Sequence, residues 1–309
     1  MKESLKEVGG AVAYMWTESV DLHSHSTHSD GQHDVAFVAE LMANEGVLTW
    51  SLTDHDTTDG WVQAAKEAKQ RGLRFVPGVE ITCEPAHAPD QAFLETMERE
   101  RASASWHLLA LFPNHDPATP DPAVEAFKAW LAPRQDGRYP RMKAMCERLA
   151  ELGMPVDIER VAKRATGSVG RPHLAEEMVH LGYVATKQEA FERWIGDGLP
   201  AFVAHSKPTI AEAVEAVNKA GGKTSLAHPL YYGVPTSTLA ACLSDHGVDA
   251  IEAVHRSHHD GYRHELMTHA RAHGLAITAG SDFHGLDYQA RPGRMPVQTE
   301  ALLEGLIPE

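Results

Sequence analysis

From about residue 19 onward, short apolar runs alternate with longer amphipathic stretches, and this rhythm constrains the fold more than any other feature. A chain that repeats strand-sized and helix-sized segments in turn buries both in a β/α architecture with parallel strands. The strand-like runs end at His23, Leu52, Val79, Leu111, Ala227, Val254 and Ala279. Helix-like periodicity covers 34–45, 60–71, 209–220, 236–246 and 261–273, and Gly46, Gly72, Gly221, Gly247 and Gly274 stand where helices commonly end. Thr209 and Glu212 have the spacing of a capping box.

Two stretches break the rhythm. Residues 113–208 read as successive helices, 122–132, 138–152, 173–180 and 187–194, which predicts a small helical insertion between two barrel parts, 1–112 and 209–309. Residues 83–105 are irregular and rich in Pro, Glu and Arg, so a surface excursion with little to bury is expected there.

At 309 residues and 43% hydrophobic composition, the chain can bury the core of one catalytic domain with an insert. Its 28 basic against 43 acidic side chains leave a net charge of −15. That balance argues against a broad basic surface, so no double-stranded DNA partner is expected, although a short nucleic-acid end could still enter a metal-lined pocket. Cys83, Cys146 and Cys242 are scattered, odd in number and without a CxxC pair. They read as buried or free thiols in a reducing compartment, and residues 1–10, with charges of both signs and no apolar h-region, lead to the expectation of a cytoplasmic protein. No run reaches the ~18 apolar residues of a membrane helix, so no membrane association is expected.

Several of the 20 histidines cluster with carboxylates. Asp21-Leu22-His23-Ser24-His25 closes the first strand and precedes Ser29-Asp30-Gly31. Residues two apart on a strand share a face, so His23 and His25 can reach one metal ion. Thr53-Asp54-His55-Asp56 follows the second strand, and Glu80 sits between Val79 and Ile81, where an unpartnered carboxylate would be costly to bury. His107, His228 and the run Gly280-Ser281-Asp282-Phe283-His284 complete the pattern. Each has a plainer reading alone: solvated histidines, a capping turn at Asp56, a salt bridge to Glu80, core imidazoles at His107 and His228. Together they stand at or near the ends of six strands, and in a closed barrel such ends converge. Imidazole with carboxylate suits Zn, Mn or Fe, and nine groups exceed the needs of one four-coordinate ion. Two or three divalent metal ions are implied.

Read together, these motifs resemble the PHP family, the polymerase and histidinol phosphatase group, over roughly residues 20–293. The resemblance implies an α/β fold, a distorted (β/α)7-type barrel with a trinuclear metal site. Gly170-Arg171-Pro172-His173, Ala220-Gly221-Gly222 before Leu226-Ala227-His228-Pro229, and the run 280–284 look like the branch of nucleotide and RNA-end phosphatases. By that likeness His23, His25, Glu80 and Asp282 would hold one metal, Asp30, His55 and His284 a second, and Glu80, His107 and His228 a third. Arg171 and His258 would face the substrate phosphate, as suits a planar guanidinium. The stretch between Glu80 and His107 is longer than the hairpin associated with this branch, so His87 and His115 stand as alternatives to His107. His255 and His259 read as solvated.

The implied activity is a metal-dependent phosphoesterase in which metal-activated water hydrolyses a phosphate monoester of a nucleotide 3′,5′-bisphosphate or a short RNA 5′ end. Asp282 or Asp54 would take the water's proton, and His205 or His258 would protonate the leaving oxygen. The alternatives are a phosphatase or cyclic phosphodiesterase acting on a small sugar phosphate, an amidohydrolase, and a non-catalytic metal-binding module.

Overall fold

Seven short strands account for the apolar runs, and hydrogen bonds join them in a ring. The computed structural model describes residues 16–17, 20–136, 138–165, 169–196, 198–203, 207–286, 292–293 and 295–296. The strands are β1 (Trp16–Thr17), β2 (Val20–Asp21), β3 (Thr49–Trp50), β4 (Arg74–Phe75), β5 (Gly78–Cys83), β6 (Trp106–Leu111), β7 (Lys223–Leu226), β8 (Ala250–His255), β9 (Ala276–Gly280) and β10 (Met295–Pro296). β1 pairs only with β10, outside the ring. β2, β3 and β4 are parallel neighbours, and β5 to β9 form a second sheet in sequence order. Two seams make one barrel of these sheets. Across the first, Val76 donates to the Trp50 carbonyl (2.8 Å) and Glu80 to that of Thr53 (3.1 Å), so β4 and β5 act as one strand broken near Pro77. Across the second, Leu22 donates to the Ala279 carbonyl (2.9 Å) and Ser24 bridges Phe283 in parallel.

The strands are not all parallel, which corrects the expectation from the alternation. β6 runs antiparallel to both β5 and β7, with Cys83 opposite Trp106 and Leu111 opposite Lys223. The link from β5 to β6 carries no helix that crosses the barrel, so the chain re-enters at the end where it left, and a parallel pairing would need such a crossover. His107 therefore stands at the start of its strand, yet at the same barrel end as the finishing residues of the others. Val20, Leu22, Val76, Leu111 and Ala250 pack together at the opposite end and fill the barrel interior.

The flanking helices are Val35–Asn44, Trp61–Arg71, Ile210–Lys219, Thr236–Asp245 and Asp260–Ala272. Asp34 caps the first by accepting from Phe37 N–H (2.8 Å), and Thr209 with Glu212 forms the expected capping box. Trp61–Arg71 ends on Gly72 at φ 73°, a left-handed turn that favours glycine. The last three of these helices join the strands in the largest core, with Trp106, Leu108, Phe112 and Ile251 among its members, whereas Val38, Met42 and Ala64 of the first two pack in a separate cluster with Trp50 and Leu52.

Between β6 and β7 lie helices Pro122–Asp136, Arg138–Glu151, Ile158–Arg164, Arg171–His180 and Lys187–Ala190, the last running into a π-helical turn Phe191–Ile195. The sequence pattern did not reveal Ile158–Arg164, which has only seven residues and a single fully buried side chain, Val161. Pro122–Asp136 packs Val124, Phe127 and Leu131 into the barrel's core. From Met142 to Ala201 a separate cluster forms, with Leu149, Leu174 and Met178 fully buried. The returning chain meets the site end of the barrel, where the Pro208 carbonyl accepts from Glu84 N–H (2.9 Å). The excursion at 83–105 is less bare than expected, because it carries helix Gln91–Thr96 and buries Leu94.

Inside the helical cluster Glu177 is 1% exposed and takes Arg160 at 2.7 Å on one oxygen and Arg164 at 2.5 Å on the other. Removing the carboxylate takes a partner from the part-buried Arg164 and from the exposed Arg160. Glu177→Ala should lower stability by about 2–3 kcal/mol, read as a fall in the urea midpoint of the full-length chain; an unchanged midpoint would show that the pair contributes nothing.

Candidate metal centre

Glu80 lies in mid-β5 with a side chain only 1% exposed, and five imidazoles surround its carboxylate. His23 Nε2, His25 Nε2 and His55 Nδ1 each lie 3.2 Å from Oε2. His107 Nδ1 and His228 Nε2 lie 2.9 and 3.0 Å from Oε1. The rings arrive from different strands: His23 and His25 just after β2, His55 after β3, His107 at the start of β6 and His228 after β7.

Three groups of ligand atoms cluster closely enough to share an ion: His23, His25, Glu80 and Asp282; His25, Asp30, His55 and His284; and His55, Glu80 and His107. The first matches the quartet expected from the motifs. In the second, His25 joins the expected trio, with His284 Nε2 3.3 Å from Asp30 Oδ1. The third pairs Glu80 and His107 with His55, while His228 meets the same carboxylate from another side. All nine candidate ligands thus converge on one end of the barrel. His87 is exposed, with its Nδ1–H on the Ala88 carbonyl, and His115 lies beside Trp61, so neither alternative joins the cluster.

A second layer of side chains holds the first. Glu252, fully buried in β8, accepts from His23 Nδ1 (3.0 Å) and His228 N–H (2.7 Å). A carboxylate partner on Nδ1 turns the Nε2 lone pair of His23 toward the cluster. Asp21 accepts from the backbone N–H groups of Ser281 (3.0 Å) and His23 (3.3 Å), and burial raises its carboxyl to about 6. Asp282 turns Oδ1 to His25 and His284, while Arg256 holds Oδ2 at 2.9 Å and His255 lies 3.4 Å from it. Tyr232 accepts from His107 N–H (2.8 Å), and its hydroxyl lies 3.3 Å from His228 Nδ1. Sequence reasoning missed Asp21, Glu252, Arg256 and Tyr232 as site residues; the signal at Glu252 was an acidic residue amid an apolar strand, as at Glu80. His255 was expected in solvent and is instead fully buried, because β8 extends to include it.

The backbone is strained around this layer. Asp56, His228 and Asp282 have φ of 53°, 29° and 52°, a region that non-glycine residues seldom occupy. At Gly280 the packing leaves no room, since a Cβ would fall 2.2 Å from that of His23.

Other expected residues lie around the cluster. Asp54 is 2% exposed and accepts from Ser26 N–H, Ser26 Oγ and Ser29 Oγ, each at 2.7 Å, so it fastens the loop that carries His25 and Asp30. His258 is buried beside His255 and Tyr262, and its Nδ1–H donates to the Ala253 carbonyl at 2.9 Å. Arg171 opens helix Arg171–His180, with its guanidinium 5.7 Å from the rings of Phe191 and Phe202. Burial lowers the neighbouring His173 imidazole, against the opposing charge of Glu176. His205 lies outside the described residues. His259 is exposed and caps helix Asp260–Ala272.

Burial opposes charge throughout the site, yet opposite charges win at most positions. Burial raises Glu80, but His55, His23 and His107 hold it well below the usual carboxylate range. Burial lowers His25, but Asp282 and Glu80 push it up to about 10. At His55 burial prevails and lowers the imidazole to about 3. Four atoms that face one another remain without a hydrogen-bond partner: His23 Nε2, His25 Nε2, His55 Nδ1 and Glu80 Oε2. Buried polar atoms are rarely left so, and a divalent cation among imidazole nitrogens and carboxylate oxygens satisfies all four at once. The donor set fits a metal.

Comparison with known proteins agrees. The PHP domain model matches residues 21–132, a span that holds His23, His25, Asp30, His55, Glu80 and His107. The 5′-3′ exoribonuclease Rnm of Salmonella typhimurium is 31% identical over 290 residues, covering 92% of this chain and 89% of that relative. The chain belongs to the PHP family. A 3′,5′-nucleoside bisphosphate phosphatase of Chromobacterium violaceum is 29% identical, covering 86% of this chain and 87% of its own. The solved structure of an amidohydrolase from the same species, with bound sulfate and no metal, has a TM-score of 0.69 and 28% identity, covering 91% and 92% of the two chains. The PHP likeness extends beyond the matched model, because these alignments span both barrel parts.

Two outcomes follow from the second layer and from the protons the imidazoles hold. Glu252→Gln should weaken metal affinity about 10–100-fold, measured by competition with a chromophoric chelator; unchanged affinity would remove Glu252 from the supporting role. Because His25 keeps its proton up to about pH 10 in the ion-free site, metal uptake must displace it, so affinity should rise with pH. Calorimetry in buffers of different ionisation enthalpy should record proton release, and heats independent of buffer would contradict the assignment.

Proposed function

We propose that the protein is a metal-dependent phosphoesterase that hydrolyses a phosphate monoester on a nucleotide 3′,5′-bisphosphate or a short RNA 5′ end. The observation that carries this reading is the Glu80 carboxylate surrounded by five imidazoles. In this reading two or three divalent ions, manganese, zinc or iron, are held by His23, His25, Asp30, His55, Glu80, His107, His228, Asp282 and His284. Such ions, when bound, offset phosphate charge and make water acidic enough to attack phosphorus.

The chain's own groups then divide the remaining work. Glu252 keeps His23 in one tautomer and Arg256 keeps Asp282 in one rotamer, so the ligands need not reorganise during the reaction. Asp282 is better placed than Asp54 to take a proton from water, since its Oδ1 faces the imidazoles whereas serine donors occupy both oxygens of Asp54. With Nδ1–H on a carbonyl, His258 presents an unprotonated Nε2, and burial holds the imidazole well below its ordinary value. It therefore suits accepting a hydrogen bond from substrate better than giving up a proton. Arg171, on the helical segment, would pair with phosphate oxygens through its planar fork. Residues 113–208 act in this reading as an inserted unit above the barrel mouth. The names of the relatives support the nucleotide substrates, and the net charge of −15 favours a small phosphorylated substrate over long RNA.

The three cysteines are free, which agrees with a reducing compartment such as the cytoplasm. Among the described residues no helix is long and apolar enough to cross a membrane.

Manganese-reconstituted protein should release phosphate from adenosine 3′,5′-bisphosphate, and a chelator should abolish the release. Retained metal with no release from this nucleotide or from a 5′-phosphorylated RNA oligomer would overturn the substrate assignment.

A further inference from the structure

The irregular segment after β5 is tied to the turn that carries His228. Asp90 N–H donates to the Gly233 carbonyl (2.8 Å) and Ser103 N–H to that of Tyr231 (2.8 Å). Between these anchors Leu94 packs so tightly on Gly233 that a Cβ there would fall 2.6 Å from it. Helix Gln91–Thr96 then ends through Glu98, whose φ of 53° is strained for a non-glycine residue. The next residue, Arg99, is brought over the Tyr231 ring, with Cζ 4.7 Å from its centroid. That ring lies 5.1 Å from the His228 imidazole and 6.0 Å from that of His255. An excursion with little apolar content is thus fastened at three points, and the fastening sets a guanidinium two ring contacts from Glu80.

The guanidinium is only partly matched. Among the described residues no carboxylate lies within ion-pair distance of Arg99, and its Nε is buried without a hydrogen-bond partner. Arg256, by contrast, holds Asp282. A half-buried cation that stacks on an aromatic ring through its face can keep its terminal N–H groups available, and such a pair selects phosphate through paired hydrogen bonds.

We propose that Arg99, seated on Tyr231, clamps a second, non-reacting phosphate of the substrate and so sets a preference for doubly phosphorylated nucleotides. The proposal rests on the phosphoesterase reading above for its substrate. It gives the segment 84–105 a role in specificity, since the segment's anchors and strain all serve to position one side chain at the rim of the cluster.

The test compares metal-reconstituted full-length wild type, Arg99→Ala and Arg99→Lys on adenosine 3′,5′-bisphosphate and adenosine 3′-monophosphate. Affinity is read as KM where the nucleotide turns over and by calorimetry where it does not. A wild type that turns over neither nucleotide would overturn the nucleotide-substrate reading while leaving the clamp measurable by calorimetry. Arg99→Ala should reduce the preference for the bisphosphate about tenfold with kcat changed less than about twofold, and Arg99→Lys, which keeps the charge but loses the fork, should fall between. An unchanged preference in both variants would overturn the proposal, as would equal losses on both nucleotides accompanied by a lower metal content.

Discussion

A carboxylate buried in the middle of a strand is the constraint to which the rest of the site answers. Taking an ionised carboxylate out of water costs several kcal/mol unless cations and hydrogen bonds replace the solvent. At Glu80 the replacement is a shell of imidazoles from strands far apart in the sequence, which can surround one side chain only if the sheet closes. Ring closure between β9 and β2 and burial of Glu80 are therefore coupled. The seam that brings Leu22 against Ala279 also brings Asp282 to His23 and His25.

Precision comes from the layer outside the ligands. Glu252 and Asp21 are themselves buried, and their positions are fixed by backbone N–H groups as well as by His23. His23, His107, His228 and Asp282 thus have a reason to hold their positions before any ion arrives, which lowers the reorganisation needed for binding and for chemistry. The strained residues Asp56, His228 and Asp282 all belong to this region. Strain of that kind persists where surrounding contacts over-determine the backbone, and here each strained residue takes part in a hydrogen bond to a carboxylate.

Two segments unlike the barrel itself meet its site end. The helical cluster has its own apolar core and returns to the barrel at Pro208, beside the end of β5. The excursion 84–105 has little core and relies on a few anchors to the turn after β7. Each carries an arginine beside aromatic rings, Arg171 near Phe191 and Phe202 and Arg99 over Tyr231. A scaffold that holds metals rigidly while separate segments supply cations can change substrate without disturbing its ligands.

Most of the candidate ligands that converge in the structure were legible in the sequence because the signals are local. An HxH pair after an apolar run, an imidazole between aspartates and a glutamate flanked by valine and isoleucine each occupy a few adjacent residues, and a period of two or of 3.6 tells strand from helix. Chain order and side-chain chemistry alone thus determined that seven strands alternate with helices and that imidazole and carboxylate meet at their ends. Only the tertiary structure decided that β6 runs antiparallel, which puts His107 at the working end, and that Asp54 fastens a loop while Asp282 faces the cluster. It also decided that His255 is buried and that Glu252, Arg256 and Tyr232 support the ligands. Those outcomes depend on which distant residues come within about 3 Å of one another, a property of how the ring closes and not of any stretch of sequence read by itself.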